Sequence, residues 1–198
     1  MFQTRFVIFY FCIIAFTVAL TNIHDHRYAV VVDAGSTGNR AFLFKISISH
    51  DHKHVELIHR EMKKRGIADY LDDLPKIKDI LLPLLKKVSE YIPTQVDIDE
   101  TVLFIRATGG MRSLSTDDQS ALWSAVVGML EDDPTTPFHI NPHNFGTISG
   151  KLEAYYAVIA ANYVAGRVDS NLIPIPGQKM IGALDMGGSS TQMIYHVG

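Results

Sequence analysis
The sequence predicts an α/β protein built on a mixed β-sheet with helical covers, followed by the beginning of a second unit of the same design. Two observations carry this expectation. Three β-rich runs come in succession, and only then do strands alternate with helices, giving the order βββαβαβα and then β-turn-β. One kind of loop also occurs twice: Asp33-Ala-Gly-Ser-Thr and Asp185-Met-Gly-Gly-Ser each follow an apolar run. A two-lobed protein with one phosphate loop per lobe has this pattern. The expected division is residues 1–22 as a targeting segment, 27–150 as a complete first lobe, and 151–198 as a linking helix and the start of an incomplete second lobe.

Each element has its own justification. Arg5 precedes an uncharged run from Phe6 to Leu20, too short for an ordinary spanning helix and suited to a signal-peptide core, with an uncleaved anchor as the alternative. Tyr28-Ala-Val-Val-Val32 is a β-branched run expected as a buried strand, and Asp33 to Asn39 is a glycine-bearing turn. Arg40 to Ile48 is the second strand and Val55 to Arg60 the third, with His50 to His54 as the hairpin loop between them. Ile77, Ile80, Leu81, Leu84, Leu85, Val88 and Tyr91 share one helical face, which Pro83 is expected to kink or split. Thr101 to Ile105 is the fourth strand. Thr116 and Gln119 have capping-box spacing ahead of a helix that buries Leu122, Val126, Met129 and Leu130. Phe138-His-Ile140 is a short strand candidate between prolines, and Gly150 to Val164 is a helix apolar on nearly every side, hence expected to be buried. Met180 to Leu184 is a further buried strand, and Gln192 to His196 begins another.

Composition excludes several classes. With 18 Lys+Arg against 21 Asp+Glu, the chain has no electrostatic footprint for nucleic acid. Apolar residues at 47% and charged residues at 20% exclude bulk disorder. The single cysteine, Cys12, lies in the targeting segment, so no disulfide is expected in the rest of the chain. The chain is expected in the secretory pathway, touching membrane only through the N-terminal segment if that stays uncleaved.

The chemistry concentrates in a few places. At Asp33-Ala-Gly-Ser-Thr-Gly38, small residues present free backbone N–H groups, and Ser36 and Thr37 add hydroxyls, which together suit a phosphate; glycine is expected to supply close approach and positive φ. Asp33 repels phosphate and is expected to hold a metal's water shell. A plain hairpin turn is the competing account. Asp185 to Gln192 repeats the chemistry, and two such loops oppose one another naturally across a cleft. Thr108 ends the fourth strand, where open α/β sheets bind ligands; Arg112 beside it either reaches a phosphate or caps a surface. Glu153 sits in an apolar helix, where burial would raise its pKa and make it a candidate general base; the alternative is a first-turn Glu that answers the helix dipole. The His50–His54 cluster and Lys63-Lys-Arg65 are expected to be solvated turns, and Trp123, Tyr155 and Tyr156 to be core packing.

Four motifs together carry a resemblance: Asp33–Arg40, Ala107-Thr-Gly-Gly-Met-Arg112, Ile148–Tyr163 and Gly182–Gln192. In order and spacing they resemble the first four apyrase conserved regions of the nucleoside triphosphate diphosphohydrolase (apyrase) family, over roughly residues 28–196. The resemblance implies an actin-like, ribonuclease H-like two-lobed fold with the nucleotide in the cleft, and Ca2+- or Mg2+-dependent hydrolysis of nucleoside tri- or diphosphates. It implies Glu153 as the base that activates water, with Ser190 helping to position that water. Asp33 and Asp185 would hold the metal through its water shell. Ser36, Thr37, Gly38, Gly187, Gly188 and Ser189 would cradle the phosphates, and Thr108 and Gln192 would complete the polar shell. Asn39, Gly109, Ala154 and Val158 depart from the family's usual residues. The family's fifth region and most of its second lobe have no counterpart here. The chain is therefore expected to be a truncated product, an incomplete reading frame or a fragment, and by itself to turn over almost no nucleotide. Two other functions compete: another enzyme of the actin-like ATPase superfamily, such as an exopolyphosphatase or a sugar kinase, and a non-catalytic phosphate-binding remnant.

Overall fold
A computed structural model describes residues 28–49 and 52–195. The targeting segment therefore lies outside the described residues, as do His50 and Asp51 of the expected hairpin loop. Five strands form one sheet in the order β3-β2-β1-β4-β5. They are β1 (Tyr28–Gly35), β2 (Gly38–Ser49), β3 (His52–Lys64), β4 (Val102–Ala107) and β5 (Phe145–Thr147). The first three form an antiparallel meander, and β4 and β5 add parallel to β1 through helical crossovers. β1 lies at the centre of the sheet with both faces covered, which is why residues 28–32 are continuously apolar and do not alternate. β3, at the edge, alternates instead and carries charged residues along its outer side, which discourages pairing with other chains.

One face of the sheet packs Val30, Val32, Leu43, Leu103 and Ile105 against two helices. These are α1 (Pro75–Ser89), with Ile77, Leu81, Leu84, Leu85 and Val88, and α4 (Thr116–Glu131), with Leu122, Val126 and Leu130. Between them lie two short helices, α2 (Gln95–Asp99) and α3 (Gly109–Arg112). The opposite face packs Val31, Phe42, Phe44, Phe104 and Ile148 against Tyr156 and Ala157 of α5 (Gly150–Val164). Two further strands, β6 (Ala183–Met186) and β7 (Thr191–Ile194), form a separate antiparallel hairpin.

Several expectations are corrected. Pro83 does not split α1, because it sits on the solvent side, where the carbonyl it leaves without a partner faces water. Tyr91 falls beyond the helix end and stacks on His59 instead of entering the core. Ser115, not Thr116, caps α4: its side chain accepts from the Asp118 backbone N–H. Phe138 and Ile140 are buried without forming a strand; the fifth strand is Phe145–Thr147, after the proline-bounded segment, which joins no ladder. β3 runs from His52 to Lys64, so Lys63 and Lys64 lie in a strand, and the turn begins at Arg65, which has φ 71°. Tyr155 is half exposed, while Trp123 packs at the core edge and donates to Thr147 Oγ1 at 3.0 Å.

The largest correction concerns the last third of the chain. The buried residues of α5 are Glu153, Ala160 and Asn162, whereas Leu152, Tyr155 and Val164 are exposed. Ile181, Leu184, Met186 and Met193 are exposed as well, so the strand expected to be buried is not. Only one face of α5 meets the sheet, and β6 and β7 pair only with each other.

The side of the sheet covered by α1 and α4 sets the protein's stability. Leu84→Ala removes a fully buried side chain between α1 and the sheet and is expected to cost about 2–5 kcal/mol. Urea denaturation should show a lower midpoint at unchanged slope, and Ile80→Ala, at the half-buried neighbouring position, should shift it less.

Candidate active site
Every residue of the site lies at the carboxyl end of the central strands or on the elements that meet them there. β1 and β2 are joined by a two-residue turn, Ser36-Thr37, closed by the pair Gly35 and Gly38. β6 and β7 are joined through Gly187–Ser190, with the Gly187 N–H donating to the Ser190 carbonyl at 2.9 Å. Both Asp-x-Gly loops are thus hairpin turns. The two accounts of them do not compete, because these turns are the parts of the chain that face one another. A Cβ built on Gly188 would stand 2.6 Å from Thr37 Cγ2 and 2.7 Å from Ser36 Oγ. A Cβ on Gly110 would stand 2.9 Å from Ser36 Cβ, and one on Gly109 would meet the hydroxyls of Ser189 and Ser190. The first hairpin, the Thr108–Gly110 turn after β4 and the second hairpin therefore converge. None of these glycines has positive φ, contrary to expectation; among the described glycines that conformation belongs to Gly146, Gly166 and Gly177. The site's glycines are required for close approach of backbones.

Asp33 ends the apolar stretch of β1 and is 6% exposed. Its neighbour across β2, Arg40, places Nη1 3.2 Å from Oδ2. Burial nonetheless pushes the Asp33 carboxyl up to about 7; Arg40 opposes this, and the charges of Glu153 and Asp185 add to it. Asp185, in β6, is half-buried, and desolvation raises its pKa.

Glu153 is both buried and in a first helical turn. It lies in the first turn of α5, which Ser149 caps by accepting from the Leu152 N–H, and it is 5% exposed. Burial raises its pKa; Arg112 pulls the other way, and Asp185 adds to the rise. Arg112 neither caps a surface nor stands free. Its Nη1 lies 2.7 Å from Glu153 Oε2 and donates to the Ile148 carbonyl at 2.9 Å, while Nη2 donates to Ser190 Oγ at 2.9 Å.

The remaining expected residues fall around this centre. Thr108 is half-buried at the start of α3, Gly38 is buried, Thr37, Gly187, Gly188 and Ser189 are exposed, and Ser36 and Ser190 are intermediate. Gln192 is buried with its Oε1 unpartnered, an acceptor available to a donor entering the site. Asn39 is fully buried and donates to the Arg65 carbonyl at 2.9 Å, holding the left-handed bend that ends β3 beside the first hairpin. Among the described residues no three His, Cys, Asp or Glu side chains converge to hold a metal directly.

One residue that positions the site went unrecognised in the sequence: Asn162. It is fully buried, donates to the carbonyls of Val158 and Ile181, and accepts from the Ile181 N–H at 2.9 Å. It therefore fastens the end of the helix bearing Glu153 to the segment that leads into the strand bearing Asp185. An Asn inside an apolar helix was the available signal, since a buried amide has to find partners.

The model of the GDA1/CD39 (nucleoside phosphatase) family matches residues 19–198. The chain is 32% identical over 206 residues to human ectonucleoside triphosphate diphosphohydrolase 4, covering 89% of this chain and 33% of that protein. It is 32% identical over 178 residues to nucleoside-triphosphatase ntp-1 of Caenorhabditis elegans, covering 86% and 31%. Guanosine-diphosphatase of Saccharomyces cerevisiae is 29% identical over 171 residues, covering 86% and 32%. The chain thus spans about a third of the length of these curated relatives. Among solved structures, nucleoside triphosphate hydrolases from Neospora caninum match with a TM-score of 0.59 at 20% identity, over 91% of this chain and 41% of that one. The Aquifex aeolicus member of the Ppx/GppA family matches with a TM-score of 0.54 at 14% identity, over 85% and 47%. These likenesses identify the five-stranded sheet and its covers as the first lobe of an actin-like fold.

Asp33 makes stability depend on pH in a defined direction. A carboxyl whose folded pKa is raised binds more protons folded than unfolded between its ordinary value of 3.8 and about 7, so its contribution to stability falls as pH rises through that window. Asp33→Asn removes that contribution. Without divalent cations, the variant's melting temperature should equal the parent's near pH 4 and exceed it by several degrees at pH 8. A variant less stable than the parent at pH 8 would mean that the Arg40 pair outweighs burial.

Proposed function
This chain belongs to the GDA1/CD39 (nucleoside phosphatase) family, and from that premise we propose that it supplies the catalytic half-site of a nucleoside tri- or diphosphate phosphohydrolase. The observation that carries the reading is the buried Glu153 carboxylate, held at the start of α5 beside two facing hairpins. A water between Glu153 and the terminal phosphate loses a proton to the carboxylate as its oxygen attacks phosphorus. The phosphorus–oxygen bond to the leaving nucleotide breaks, and inorganic phosphate is released. Ser190 helps position that water. The backbone N–H groups and hydroxyls of Ser36, Thr37 and Gly38 on one hairpin, and of Gly187, Gly188 and Ser189 on the other, bind the phosphate oxygens, with Thr108 and Gln192 completing the shell. Fixed donors of this kind stabilise the transferring phosphoryl group without reorganising during the reaction.

Asp33 and Asp185 would hold a hard divalent cation, Ca2+ or Mg2+, through its water shell. The donor set fits: two carboxylates out of bulk water, both with raised pKa, near a third at Glu153. When bound, the cation offsets the charge of the nucleotide phosphates. The domain division proposed is a first lobe over residues 27–150 and, over 151–198, the linking helix with the start of the second lobe. The uncharged run from Phe6 to Leu20 supports a secretory-pathway protein, secreted or membrane-anchored and facing the lumen or the exterior. Among the described residues no helix is long and apolar enough to cross a membrane. The likeness to the Ppx/GppA structure concerns the fold and leaves the substrate to be argued from the site.

Glu153→Gln keeps the side chain's shape and removes the proton acceptor. In the full-length gene product, divalent-cation-dependent phosphate release is expected to fall about 10²–10⁴-fold while nucleotide binding and melting temperature hold. Near-full turnover in that variant would leave Glu153 as a first-turn structural carboxylate.

A further inference from the structure
Arg112 touches three residues that are all far from it in sequence, two around the start of α5 and one in the second hairpin. The Ile148 carbonyl lies 36 residues away and Ser190 lies 78 residues away, and Glu153 stands between them. We propose that Arg112 is a positioning residue for hydrolysis: its planar guanidinium holds the Glu153 carboxylate and the Ser190 hydroxyl at fixed separation, so that both act on one water. The inference rests on the reading of Glu153 as general base and adds to it how that base is aimed.

The geometry distinguishes this role from phosphate binding. An arginine kept for phosphate leaves one edge of its fork open toward the ligand. Here both terminal nitrogens have protein partners: Nη1 donates to the Ile148 carbonyl and lies within ion-pair distance of Glu153 Oε2, which has no aligned hydrogen bond, and Nη2 donates to Ser190 Oγ. The anchoring carbonyl immediately precedes α5, so the guanidinium takes its position from the helix that carries Glu153. α3, which carries Arg112, cannot drift either, because Gly109 and Gly110 are packed against the two hairpins with no room for a methyl group.

Two chemical consequences follow. Ser190 Oγ accepts from Arg112, so its single O–H is free to donate in another direction, toward a water or a phosphate oxygen. Glu153 faces Arg112, whose charge opposes the rise in pKa that burial causes, and the Asp185 and Asp33 carboxyls, which act in the direction of burial. A lysine supplies the charge without the fork, so it can hold one partner but not all three.

The test is a double-mutant cycle in the full-length gene product, using Arg112→Ala, Arg112→Lys, Glu153→Gln and the double variant Arg112→Ala/Glu153→Gln, with nucleotide hydrolysis as readout. Arg112→Ala is expected to lower kcat about 10²-fold with little change in KM, and to move the acidic limb of the kcat–pH profile to higher pH. Arg112→Lys should restore the limb toward its parental position while recovering only part of kcat. In the Glu153→Gln background, adding Arg112→Ala should lower kcat less than about 3-fold further, because the group it positions is already gone. A raised KM at unchanged kcat would overturn the proposal in favour of phosphate binding. So would independent, multiplicative losses in the double variant. If Arg112→Ala does not fold, Arg112→Lys carries the same decision: full kcat with an unmoved limb overturns the proposal. Undiminished kcat in Glu153→Gln alone would instead refute the general-base reading, and that result is separate from any outcome at Arg112.

Discussion
Three carboxylates taken out of bulk water in one place are the constraint around which the rest of the structure is arranged. Asp33, Glu153 and Asp185 come from β1, α5 and β6, and each has its pKa raised by burial. Isolated buried anions of this kind are costly, and the fold supplies one arginine to each of the two deepest. Arg40 reaches Asp33 across the β1–β2 ladder, and Arg112 reaches Glu153 from the turn after β4. Asp185, which has no arginine partner among the described residues, is the least buried of the three. Three carboxyl groups beside two arginines all keep raised pKa values, so any added positive charge at this centre would favour their ionised forms.

Much of this was legible in the sequence, and the reasons are local. β1 is a continuous apolar run because both its faces are covered, so its end, and hence Asp33, is marked by the first polar residue. α1, α4 and α5 are legible from periodicity and composition, but the cap of α4 is Ser115, one residue before the Thr116 that the capping-box spacing marks. The short helix Gln95–Asp99 was missed although Thr94 and Asp97 carry a capping signal, because five residues offer no periodicity to support it. Arg112 was left undecided for a different reason. Its partners are brought to it by the topology, and no local pattern encodes an encounter between a turn after β4 and a hairpin far along the chain.

The glycines show how one residue type can be recognised for an incomplete reason. Their presence at Asp-x-Gly turns marks an anion site whether they serve by positive φ or by lacking a Cβ, and only the second applies here. The difference matters chemically. A turn that needs positive φ is a property of its own backbone, whereas a turn that needs an absent methyl group depends on whatever lies across from it. At Gly109, Gly110 and Gly188 the neighbour in each case is the opposing hairpin. These glycines therefore encode the contact between the loops.

The two hairpins differ in how firmly they are held. The first is an extension of the central strand pair of a five-stranded sheet, with a closed apolar core on one face. The second is a two-stranded ribbon, an arrangement marginal on its own in water, with Leu184, Met186 and Met193 exposed. Asn162 fastens its approach to α5, and Arg112 fastens its turn to Glu153 through Ser190. The catalytic geometry proposed here thus joins a rigid wall to a lightly tethered one. The Arg112–Ser190 bond ties the second hairpin to the guanidinium that also stands beside Glu153, so the placing of Ser190 and the surroundings of Glu153 depend on one side chain.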